Sequence, residues 1–388
     1  VTEPGLPDPA PYAGRSLTEV VPSVLASLGA EGFANPLGIE PLQAACVFVV
    51  DGLGQAQVLE NADAAPLLAQ ACRAAEPLTV GFPSTTAASL GSLATGVPPG
   101  EHGLVGYTVA VDGHDRPMNL LLWELYGHGP DAPLEEEFPP ERFQLVPTLL
   151  ERSSAAGFPV TVTGPPEHAG SPLTRAILRG GRYEGASSLP ELVDVVQANL
   201  KDGRPVYAYH PGLDFFGHVT GPGSARWLDE LEAVDATIAA IVDRLPTGAG
   251  LFVTGDHGMI TVEPEDRIDP ADEPELEAGV RFLAGEGRAR HVMCVPGAAA
   301  DALAIWRELL GDRMWVLTRD EAIDTGWFGP RVVDAVRGRI GDVVAAAHGA
   351  VAVIQRGVDP LQASLVGHHG SLTDAERLVP FATWRRDP

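Results

Sequence analysis

The chain has 388 residues, 45% of them hydrophobic and 20% charged, enough to bury one large α/β core with a smaller unit beside it. Its formal net charge of −26, with no block of lysine or arginine, repels long nucleic acids and excludes a role on a nucleic acid polymer. Apolar runs stay well short of the roughly 20 residues that span a bilayer, so no membrane partner is expected. The widely spaced Cys46, Cys72 and Cys294 form neither a disulfide framework nor a cysteine zinc site.

Residues 1–14 are polar and proline-rich, without the basic-then-apolar pattern of a secretion signal, and a cytoplasmic location is expected. The apolar run from Ala44 to Val50 predicts a strand buried on both faces and stopped by the turn Asp51-Gly52-Leu53-Gly54. Further strands are predicted at Val160–Gly164, Pro205–His210 and Gly250–Gly255, with helices at Leu189–Leu200 and Ala225–Leu245 between them. This alternation predicts an α/β fold with a mostly parallel central sheet and helices on both faces. Ligands of such sheets bind at the carboxyl ends of the strands, where Asp51 and Asp256 fall. Between 262 and 346 the pattern changes to an acidic loop (Glu263 to Glu277), two short strand-like pieces and a helix near Ala298–Leu310. That segment reads as a small inserted cap subdomain packed over the site, dividing a core made of 1–261 and 347–388.

Four stretches set Asp or His beside Gly: Asp51-Gly-Leu-Gly, Asp214-Phe-Phe-Gly-His218, Asp256-His257-Gly and His368-His369-Gly. Carboxylates and imidazoles in this number suit zinc and similar metals. Asp214 and His218, one helical turn apart, share a face and can grip one ion. Asp256 and His257 suit a second, if the strand end turns there. A fifth stretch, Gly81 to Gly96, predicts a helix with hydroxyls at its N-terminus, where free N–H groups and the dipole favour phosphate. A metal-bound threonine hydroxyl loses its proton readily and becomes a nucleophile. Spacing alone leaves Ser84, Thr85 and Thr86 as alternatives.

The ordered series, over about residues 44 to 375, resembles the alkaline phosphatase superfamily and within it the type I phosphodiesterase and nucleotide pyrophosphatase family. The resemblance implies Thr86 as the catalytic nucleophile, at the family's spacing before the Thr95-Gly96 pair. It implies two divalent metal ions, zinc in the first instance: one on Asp51, Thr86, Asp256 and His257, the other on Asp214, His218 and His369. The implied activity is hydrolysis of phosphodiester or pyrophosphate bonds in nucleotides or related small anionic phosphate esters, through a covalent threonine intermediate. One departure concerns Tyr107, which follows Glu101-His-Gly-Leu-Val-Gly106 where relatives carry an asparagine. Its phenol can donate in place of that amide. Asn119 is a second candidate donor, although its surroundings read as an exposed turn, and Phe215 is a candidate for stacking on the substrate. A phosphomonoesterase, a phosphonate hydrolase and a non-catalytic metal-binding scaffold are the competing readings.

Overall fold

The computed structural model of the protein describes residues 5–6, 12, 14–130 and 132–387. Strand β1 (Ala44–Val50) is buried along its whole length. Its side chains alternate between two apolar clusters: Ala45, Val47 and Val49 face one, Cys46, Phe48 and Val50 the other. Around it are β2 (Thr161–Gly164), β3 (Arg182–Gly185), β4 (Val206–His210), β5 (Ala249–Gly255) and the edge strand β6 (Ala382–Arg385), in the order β6-β5-β1-β4-β2-β3. All neighbours run parallel except β6, which is antiparallel to β5. The sheet is thus mostly parallel and layered by helices on both faces. Sequence patterning missed β3 and β6, which are short and carry exposed or half-buried polar residues.

Helices α1 (Val20–Ser27) and α2 (Thr86–Thr95) pack on one face, and α3 (Leu189–Lys201), α4 (Gly212–Thr220) and α5 (Ala225–Asp243) on the other. Helix α5 is held by Trp227, Leu231, Val234, Ile238 and Ile241, apolar residues at steps of three and four that lie fully inward. Burial of each such side chain is worth about 1.5–3 kcal/mol. Ser224 starts this helix by accepting the Trp227 N–H, and Gly96 ends α2 in the left-handed region at φ 74°.

The acidic stretch Glu263 to Glu277 is a loop with two short 3-10 turns, as expected, but in place of two short strand-like pieces the segment carries a four-stranded antiparallel sheet. Its strands are Val280–Glu286, Ala289–Cys294, Met314–Thr318 and Val343–Ala347. With helix α6 (Ala299–Leu310) they enclose a separate apolar cluster that includes Leu283, Val292, Trp306 and Leu310. The pattern was hidden because Arg288, Arg290 and His291 are buried in and beside the second strand, where alternation leads one to expect apolar residues. Arg288 forms a two-pronged ion pair with Glu376, at 2.7 and 2.8 Å, with both side chains fully buried. This pair ties the 286–289 hairpin tip to the core. No helix among the described residues is long and apolar enough to cross a membrane.

Candidate active site

Asp51 continues directly from β1, so its carboxylate emerges at the carboxyl end of a strand buried along its whole length. The turn behind it depends on Gly52, at φ 73°. A Cβ there would lie 2.9 Å from the Cα of Asp214, so only glycine lets the first turn of α4 come this close. The Gly52 N–H donates to Oδ1 of Asp256, at 3.1 Å, and Tyr209 at the end of β4 donates to Oδ2 of Asp51. Three strand ends therefore fix two carboxylates beside a third, that of Asp214.

Three of the four histidines of the motifs share one arrangement. Each places Nδ1 on a backbone carbonyl: His218 on Gly367 at 2.8 Å, His257 on Gly258 at 3.1 Å and His369 on Ser84 at 2.9 Å. With Nδ1–H as donor, Nε2 keeps its lone pair for a ligand. Nε2 of His257 lies 3.3 Å from Asp51 and 3.6 Å from Asp256. Nε2 of His218 lies 3.4 Å from Asp214 and 3.3 Å from Nε2 of His369. His368 points elsewhere, with Nε2 3.3 Å from the Leu365 carbonyl. Gly367 lets α4 approach the short strand Gly367–His368: a Cβ at Gly367 would lie 2.4 Å from the Gly217 carbonyl oxygen.

The three hydroxyls at the start of α2 have different surroundings. Ser84 donates to Ser371 O at 2.7 Å and accepts from Gly370 N–H at 3.2 Å, clasping the His369 segment against the helix. Thr85 is the N-cap residue but makes no side-chain capping bond. Thr86, the first helical residue, sets its hydroxyl 3.3 Å from Nε2 of His257. The first turn of α2 carries its unpaired N–H groups and positive dipole end to the same place.

The charge pattern is that of a cation site. Asp51 Oδ1, Asp214 Oδ1 and Asp256 Oδ2 are all buried without a hydrogen-bond partner, one oxygen from each aspartate. Burial, with Asp256 and Asp214 alongside, pushes the Asp51 carboxyl well above the usual range, and burial raises Asp214 and Asp256 too. Burial likewise holds His257 below its ordinary value, and burial with His257 and His218 nearby holds His369 well below. Carboxylates short of positive charge among imidazoles that resist protonation fit a metal cation. Two donor groups draw within 4.8 Å: Asp51, Asp256 and His257, and Asp214, His257 and His369. His257 belongs to both, and His218 Nε2 sits at the edge of the second.

Two cavities meet over Thr86, Asp214 and His218. The larger, about 560 Å³, runs along β2 and β4 past Tyr209; the smaller, about 280 Å³, faces the inserted sheet and includes Tyr107, Glu286 and His369. Phe215 lines both and is 59% exposed. Asn119 is not the exposed turn residue its surroundings suggested. Pairing with Thr108 turns it inward to full burial, where Nδ2 donates to the Tyr107 hydroxyl at 2.7 Å and Oδ1 accepts from Leu121 and Leu122. It lines neither cavity and orients the phenol of Tyr107, whose acidity burial lowers to a pKa of about 12.

Two residues of the site escaped sequence reading. Tyr209 had a usable signal in its place at the end of a predicted strand. Glu286 had none, because it reaches the site from the inserted hairpin, 3.6 Å from Nδ1 of His369 and with Oε1 buried and unpaired. Burial pushes its carboxyl well up, against the pull of the Thr85 hydroxyl and Arg290.

Asp/His clusters that could hold a metal ion and a hydroxyl-bearing helix start thus gather at the strand ends of this sheet, the donor set of a metal site beside an anion-accepting helix end. The chain belongs to the type I phosphodiesterase / nucleotide pyrophosphatase family, whose model matches residues 45–372. Among solved structures, murine ectonucleotide pyrophosphatase / phosphodiesterase 5 superposes with a TM-score of 0.64 at 15% identity, covering 88% of this chain and 89% of that one. An inactive variant of the same murine protein in complex with AMP gives 0.61 at 14% identity, with the same coverage of 88% and 89%. At such identity the likeness is one of fold. Curated relatives include the phosphopentomutases of Anaeromyxobacter dehalogenans (strain 2CP-C), 35% identical over 122 residues, and of Anaeromyxobacter sp. (strain K), 35% over 121. These matches cover 30% of this chain and 29% of each relative, under a third of their length.

Proposed function

We propose that this enzyme cleaves phosphodiester or pyrophosphate bonds of nucleotides or related small molecules, with Thr86 as nucleophile and two divalent cations, zinc by donor chemistry. The observation that carries this reading is the convergence of three unpaired aspartate oxygens and three Nε2 atoms around the Thr86 hydroxyl. Asp51, Asp256 and His257, with Thr86, would hold one ion; Asp214, His218 and His369 would hold the other. Bound cations supply Lewis acidity and offset the carboxylate charge. Oγ1 of Thr86 bonds to phosphorus as the bond to the leaving oxygen breaks, its proton passing to solvent. Water then cleaves the threonyl ester and restores the hydroxyl. Tyr107, one lone pair occupied by the Asn119 amide, keeps its own proton to donate to a phosphoryl oxygen. Residues 262–346 act as the cap subdomain over this chemistry.

Cavities on two sides of Thr86 favour a diester, with a substituent in each, over a monoester. AMP in the complex of the murine neighbour is consistent with a nucleotide-sized arm. The test is turnover of bis-p-nitrophenyl phosphate against p-nitrophenyl phosphate by zinc-loaded protein, with a chelated control. A chelator-sensitive preference for the diester is expected. A monoester preference would make this a phosphatase, and inactivity on both would favour a phosphonate hydrolase or a metal-binding scaffold.

A further inference from the structure

Eight large apolar side chains stand exposed among the described residues, and five of them, Leu121, Leu122, Phe215, Val219 and Leu361, border the two cavities over Thr86. Leu122, Phe215 and Leu361 are 60%, 59% and 66% exposed. Scattered apolar residues are ordinary on a protein surface, but a majority gathered round one opening marks a binding site. The apolar character continues inward, where Leu90, Val162, Leu173, Ile177, Leu178 and the ring of Tyr183 wall the larger cavity.

Cationic side chains are placed elsewhere. Every lysine and arginine of the chain falls within the described residues, and none lines either cavity. A polyphosphate chain is normally gripped by arginine or lysine donors. Here the walls offer it the carboxyl groups Glu167 and Glu286 instead.

We infer that the preferred substrate is a phosphodiester with one bulky apolar arm seated in the larger cavity, and that nucleoside polyphosphates are poor substrates. This assignment rests on the hydrolase reading above. Each methylene of the arm that becomes fully buried raises affinity about fourfold. Binding made equally in ground and transition states appears in KM more than in kcat.

The experiment compares p-nitrophenyl methyl phosphate, p-nitrophenyl octyl phosphate below its micellar concentration, and ATP, on the zinc-loaded full chain. The octyl ester is expected to exceed the methyl ester in kcat/KM by roughly 30-fold or more, chiefly through KM, and ATP to fall at least about tenfold below the octyl ester. In Leu121→Ser combined with Leu122→Ser, two residues that border the larger cavity, the octyl-to-methyl ratio should drop severalfold, with folding checked by thermal melting. Equal rates on the two esters, or ATP turnover matching the octyl ester, overturns the apolar-arm assignment and leaves the hydrolase reading standing. Failure to hydrolyse any of the three overturns the hydrolase reading itself.

Discussion

The imidazoles of His257 and His369 lie face to face, with ring centroids 3.6 Å apart and planes 13° from parallel. One comes from the end of β5, the other from the segment clasped by Ser84 near the C-terminus. Two stacked imidazolium ions would repel each other, so both rings are held neutral with Nε2 free. The stack joins the two donor groups into one continuous centre.

Thr86→Ala should lower diester turnover by roughly 10³-fold or more, because no other hydroxyl of the α2 start faces His257. Folding and zinc content should persist. Steady-state kinetics beside metal analysis checks this, and near-wild-type activity in the variant would falsify the nucleophile assignment.

Zinc should stabilise the protein, since nothing in an unfolded chain preserves this donor set. At a hundred times Kd the gain is about 2.7 kcal/mol, several degrees in Tm. It should shrink at pH 5, where protons compete with the metal for the carboxylates and imidazoles. Thermal melts with zinc and with chelator at both pH values measure it, and identical melts throughout would rule the site out.

Tyr209→Phe removes the phenol that orients Asp51 and leaves the apolar ring in place. Outer hydrogen bonds of this kind are worth about 10–100-fold in metal affinity. Competition with a zinc-sensitive dye should show a loss of that size, with Tm of the chelated protein little changed. Unaltered affinity would mean that the phenol does not position the ligand.

The buried Arg288–Glu376 pair should behave asymmetrically. Arg288→Met alone leaves a buried carboxylate uncompensated and should cost about 3–5 kcal/mol, whereas adding Glu376→Leu should recover much of the loss. Urea unfolding of single and double variants forms the cycle. Additive losses would show the pair to be uncoupled.

His102 is fully buried and accepts the Leu104 N–H at Nδ1, so burial lowers its pKa from 6.5 to about 3. The unfolded chain therefore binds a proton below pH 6.5 that the folded chain refuses. Stability from this group is present above that value and is lost as pH falls, by roughly 1.4 kcal/mol per pH unit. His102→Gln lacks this penalty, so its deficit against wild type in urea unfolding should narrow between pH 7.5 and pH 5. A constant deficit would contradict the burial argument.

The sequence by itself determined the layered α/β core, the strand ends that carry Asp51 and Asp256, and the helical pairing of Asp214 with His218. These depend on hydrophobic periodicity and on glycine punctuation within a few residues, which a linear reading samples directly. Tertiary packing alone decided which of Ser84, Thr85 and Thr86 faces His257, that Asn119 serves Tyr107 from within, and that Glu286 reaches the centre. It also formed the second sheet, whose buried Arg290 and His291 violate alternation because distant backbone carbonyls, Val353 for the arginine and Val105 for the histidine, satisfy them. Partners so far along the chain leave no local trace, and a polar residue that is paired inside the fold looks in sequence like one exposed to water.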